Sequence, residues 1–168
     1  MRNVLFLVCL SAATTLPVVA QTPPHSAPHC EMMQRGDHAL GFSHETTTHH
    51  FRLFNNGGEI AVEANNSKDS ADIAEIRGHL AHIAQMFAGG NFGVPMFIHD
   101  TMPPGAASMA QGKDEIRYEY FETDRGARIR VTAATPQATD AVHAFLLFQI
   151  ADHQTGDSPK IEDETQKK

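Results

Sequence analysis

Tryptophan is absent from the 168 residues, and cysteine and tyrosine each occur only twice. With cysteines only at positions 9 and 30, there is no Cys-x-x-Cys pair, no zinc-finger spacing and no haem-attachment motif. Basic blocks are also lacking: the net charge is −7, and the longest run of basic residues is the terminal pair Lys167 and Lys168. That excludes a partner held through phosphate contacts, so no nucleic acid is expected. No apolar run approaches the ~20 residues of a bilayer span. A Gly-x-Ser-x-Gly elbow, a P-loop and a dinucleotide fingerprint are missing too, so an enzyme reading has no identified nucleophile or catalytic motif. What is abundant is histidine, with eleven residues, all beyond position 24. At 41% hydrophobic and 20% charged, the chain has globular proportions, and its length suits one domain.

Residues 1–20 read as a signal peptide. Met1-Arg2-Asn3 is a short positive start, residues 4–10 are an apolar run too short to span, and Val18-Val19-Ala20 ends in a small residue before Gln21. Val8 is too large for a lipoprotein site at Cys9. A periplasmic or secreted protein is expected, with no membrane insertion after cleavage and Cys30 as its single thiol.

Residues 21–43, rich in Pro, His and Met and without periodicity, read as a flexible arm. Residues 44–157 read as a single α+β domain, and 158–168 as a disordered tail. Within the domain, Asn55-Asn56-Gly57-Gly58 separates two strand-like runs, and Asp124-Arg125-Gly126 separates two more. After the first pair, Ile73, Ile76, Leu80, Ile83 and Phe87 step at helical spacing to Gly89-Gly90. After the second, Thr135-Pro136 starts a helix running to about Asp152. The order is ββαββα, which predicts a four-stranded antiparallel sheet with two helices on one face. Ile60, Val62, Ile116, Tyr118, Ile129 and Val131 are expected inside. Aligning the two halves places His79 and His143 at equivalent positions. The second helix is apolar almost all round, which implies cover from the 89–115 loop or a homodimer interface.

The chemistry lies in histidine and methionine. Imidazole suits copper, zinc and nickel, and thioether or thiolate adds a preference for Cu(I), so copper is the expected ion and zinc the alternative. Two ligand sets are candidates. In the arm, His29, Cys30, Met32 and Met33 cluster as soft ligands. In the domain, His49 alternates with Phe51 and points inward, and with His79 and His143 it would form a His₃ set with an open position. His82 is expected to face water. A competing site lies under the 89–115 loop, where His99, Asp100 and His143 would converge in a small enzyme or ligand-binding domain.

Thr47-Thr48-His49-His50-Phe51, Met96-Phe97-Ile98-His99-Asp100 and Phe148-Gln149-Ile150-Ala151-Asp152-His153, followed by Thr155-Gly156-Asp157, resemble a family of exported bacterial proteins that brings no known activity. An aspartate carbamoyltransferase reading found among its members does not carry over, because the Ser-Thr-Arg-Thr phosphate-binding motif is missing. The expectation is therefore an exported metal-binding protein, for copper tolerance, buffering or delivery. The alternatives are the loop-covered site and a structural homodimer.

Overall fold

The computed structural model describes residues 27–164; the expected signal peptide lies outside them. The chain is α+β. Helix α1 (Ala27–Leu40) is followed by strands β1 (Thr47–Phe54) and β2 (Gly57–Ala64) and by α2 (Ser70–Ala88). Two short helices, α3 (Gly93–His99) and α4 (Ala106–Gln111), occupy the 89–115 segment. Strands β3 (Ile116–Thr123) and β4 (Gly126–Ala133), helix α5 (Pro136–His153) and strand β5 (Ile161–Glu162) complete the order. No helix among the described residues is long and apolar enough to cross a membrane.

Local chemistry explains the element ends. The Asp69 carboxylate accepts from Asp72 N at 3.1 Å at the start of α2. The Thr135 hydroxyl accepts from Ala138 N at the start of α5, where Pro136 has no N–H to leave unsatisfied. The hairpins pair as their turns predict, and β2 pairs antiparallel with β4, with Ile60 opposite Ile129, Gly58 opposite Val131 and Val62 opposite Ala127. The two ββα units are thus related by an approximate two-fold through the Ile60–Ile129 pair. Ile60, Val62, Ile116, Ile129 and Val131 are buried beneath the helices, and α2 packs on β3 and β4 while α5 packs on β1 and β2.

Three expectations need correction. The sheet has five strands in the order β3-β4-β2-β1-β5 and is mixed, because β5 runs parallel to β1. Residues 158–164 are therefore not a loose tail. Ile161 and Glu162 pair with Leu53 and Phe54, and Glu164 takes both Nε (2.6 Å) and Nη2 (3.0 Å) of Arg130 on the sheet's outer face. That face also holds Glu59, which is buried and receives Arg52 at 2.6 Å and Arg128 at 2.8 Å. A buried carboxylate between two guanidiniums is compensated, so this face is not simply wet.

The arm, from residue 27 onward, is not flexible. Ala, Glu, Met, Gln, Arg and Leu favour helix intrinsically even where periodicity is weak. Helix α1 docks against α3 and the neighbouring helices, with Met32 only 3% exposed and Arg35 Nε donating to Ile98 O at 2.8 Å. Among the described residues the α-helices therefore number five rather than two, with α2 and α5 packed on the sheet. Helix α4 packs along part of α5, where Gly105 abuts Ala141, while Leu147 on the same helix stays exposed.

Candidate functional site

Beneath α3 lies a cavity of about 70 Å³, not sealed from solvent. Its floor is apolar, built from Phe51, Ile60, Leu80, Ile83, Phe87 and Phe145. Its polar lining consists of His49, His79, His99, His153 and Gln149. Each side chain arrives by simple geometry. His49 shares the inward face of β1 with Phe51 and Leu53, and His79 stands beside the buried stripe of α2. His99 ends α3, while Gln149 and His153 are one turn apart at the end of α5.

The imidazoles are close. His49 stacks on His153 with centroids 5.4 Å apart and planes 14° apart, and His99 meets His153 edge-on at 5.0 Å. Phe42 touches both His49 (6.2 Å) and His79 (5.8 Å). Burial pushes His49 down from 6.5 to about 4, helped by the charges that His79 and His50 would carry. Burial, with His82 nearby, pushes His79 to about 4 as well. His153 is held well below the usual range by burial first, then by His49, His99 and His29. These three rings are neutral near pH 7.

His99 differs because it is committed on both sides. Nδ1 lies 2.6 Å from Asp152 Oδ2, and Nε2 lies 3.0 Å from Gln149 Oε1. The Nε2 contact needs a hydrogen on Nε2 to meet the amide oxygen, and the Nδ1 contact shares one hydrogen with the Asp152 carboxyl, so ring and carboxyl form a pair without net charge. Asp152 reaches the surface, where it shares a second, more polar recess with His29, Arg35 and Asp100. His99 thus spans from the surface to the cavity.

Of the expected His₃ set, His49 and His79 both line the cavity and both touch Phe42, but His143 does not join them. Its Nε2–H is shared between Phe54 O (2.9 Å) and Gly57 O (3.0 Å), at the turn joining β1 and β2. The two-fold gives the reason: antiparallel units place equivalent positions at opposite ends of the sheet. Five strand residues, about 17 Å at ~3.4 Å each, separate His49 from Phe54. The converging His99, Asp100 and His143 are corrected likewise. Asp100 is exposed in the left-handed conformation that ends α3, and the acid partner of His99 is Asp152.

The soft set of the arm is dispersed by its helix. Met32 is buried, Cys30 is exposed, Met33 is part-buried, and His29 Nδ1–H donates to Asp152 O at 3.1 Å. His82 is exposed, as its helical phase predicts. Among the described residues, no three or more His, Cys, Asp or Glu side chains are grouped so as to hold a metal ion. Stacking explains part of this. An imidazole lone pair lies in the ring plane, so near-parallel rings aim their nitrogens along parallel lines rather than at one point.

Sequence reasoning missed His153, Gln149 and Asp152 as lining or orienting residues. Yet the three segments quoted above for their resemblance do meet here. His49 comes from the first, His99 from the second and His153 from the third, and Asp157 bonds both His50 Nδ1 (3.0 Å) and Phe51 N (2.9 Å). No family model, no curated protein and no solved structure matches the chain.

Proposed function

We propose that the protein is an exported ligand-binding domain that takes a small, largely apolar molecule into the histidine-rimmed cavity beneath α3. The carrying observation is the cavity itself: an apolar floor with a few convergent polar groups, under a segment built as two short helices. Sites for small ligands are apolar, largely preformed and fixed by a small number of polar groups. An engineered cavity of about 150 Å³ admits benzene, and apolar cavities of that kind take up xenon. At about 70 Å³ this one suits a smaller guest, of about four or five heavy atoms. Xenon is therefore the first probe. In methyl NMR it is expected to shift Leu80, Ile83 and Ile98 saturably, and Ile98→Phe, which fills the space, should remove the effect. Xenon that leaves these methyls unmoved would sink the reading.

A second reading keeps the metal, and one observation favours it. His49, His79 and His153 are neutral near pH 7, so their lone pairs need not be freed from protons before they ligate. Binding of copper or zinc then requires His153 to leave its stack on His49. Calorimetric titration of untagged protein with Zn²⁺, and with Cu⁺ under reducing conditions, tests it. The reading expects one site per chain, lost in His153→Ala but kept in His143→Ala. Equal binding by both variants would refute it.

A further inference from the structure

Gln149 is the group around the cavity whose chemistry is incomplete. It is only 4% exposed, its Oε1 is taken by His99, and its Nε2 has no hydrogen-bond partner among the described residues. A buried amide N–H without an acceptor costs as much as a lost hydrogen bond, and native structures rarely leave one unmade. With Oε1 on the His99 ring, Nε2 is the amide group left to a ligand; turning the amide over would exchange the two and leave Oε1 unmet instead. We infer that the cavity's ligand is an uncharged carbonyl compound, of about four or five heavy atoms, whose oxygen accepts from Gln149 Nε2. The inference rests on the cavity being a ligand site, and it adds the ligand's chemistry.

The surroundings agree on the absence of charge. From β1 comes His49 and from α2 His79, both neutral near pH 7. From α5 comes His153, neutral as well, and from α3 comes His99, which is paired with Asp152. No arginine or lysine lines the cavity. A carboxylate would therefore be desolvated with no opposing charge to meet it, at a large cost, whereas a ketone or amide oxygen needs one donor and finds it.

The test compares 2-butanone with 2-methyl-1-butene, which replaces C=O by C=CH₂ at nearly constant shape. Both are titrated near pH 7.5 against the Leu80, Ile83 and Ile98 methyl signals of the full chain. The ketone is expected to bind about tenfold tighter, the fold-change of one buried hydrogen bond. Propionamide should likewise exceed propionate by at least about tenfold. Gln149→Leu should erase the ketone's advantage over the hydrocarbon; the wild-type comparison decides the matter if that variant fails to fold. Equal binding of ketone and hydrocarbon, or propionate matching propionamide, overturns the inference. So does a preference for 2-butanol over 2-butanone, which would mean that the amide presents its oxygen. Xenon uptake with no carbonyl preference removes this inference and leaves the cavity reading intact. Failure of xenon as well removes both.

Discussion

Acidification from above pH 7 to pH 4 is expected to remove several kcal/mol of folding stability through the buried histidines. His49 and His79 bind protons near 6.5 when unfolded but only near 4 when folded. Between those values the unfolded chain holds more protons, so stability rises with pH across the window and is lost as pH falls through it. At about 1.4 kcal/mol per pK unit, each ring carries on the order of 3 kcal/mol, and their mutual repulsion means the two do not simply add. His153, also held low, acts in the same direction. Asp157 and Glu164 have values lowered from 3.8 and 4.5, so their share is present above those unfolded values and is lost as pH falls through and below them, at the acid end of the window and in the same direction. Urea unfolding at stepped pH is the measurement. A midpoint that stays constant between pH 6.5 and 4.5 would show that the cluster is not buried as a neutral set, and His49→Phe should flatten the slope.

The second large effect belongs to Gly105→Ala. Gly105 precedes α4 at φ +82°, and an added Cβ would stand 2.1 Å from Ala141 O and 3.0 Å from Phe145 N of α5. Both neighbours are backbone, so neither can swing aside. The left-handed conformation alone costs about 1–2 kcal/mol for a non-glycine residue. Relieving the overlap requires α4 to lift from α5. A loss of about 3 kcal/mol or more is expected, a fall in melting temperature of roughly 10 °C. Gly78→Ala is the contrast: it lies in the interior of α2 with nothing within 4 Å of the added Cβ. Removing backbone freedom there should stabilise by about 1 kcal/mol. If calorimetry finds the two variants equally stable, close packing of α4 on α5 is refuted.

The hairpins, the long helices and the inward face of the sheet were legible because each rests on a local signal: turn residues, a period of two, a period near 3.6. The phase of α5 was not. Its apolar residues surround it almost evenly, so the sequence selects no face, and His143 looked as inward as any position. Only the packing breaks the tie. At roughly 100° per residue, Ala138, Ala141, Val142, Phe145, Leu146 and Gln149 centre about 50° from His153 and about 130° from His143. His153 was read as lying just past the helix end, although it is the last helical residue. The pairing of His99 with Asp152 rather than Asp100 spans 53 residues, beyond any local pattern. Helix α1 was missed because an amphipathic stripe was sought, whereas it is held by a single buried methionine and by polar bonds to distant carbonyls.

Those bonds also order the events of folding. Arg35 waits for Ile98, 63 residues later, and His29 for Asp152, 123 residues later. The hairpins close within about ten residues, whereas the two partners of α1 lie on α3 and α5. Loop-closure entropy grows with separation, so contacts this remote form late unless a larger structure has already brought their ends together. The first helix among the described residues is therefore expected to be the last to find its place, and to come away again without opening the sheet. In hydrogen exchange that makes α1 a separate, weaker unit, riding on a core that is already complete.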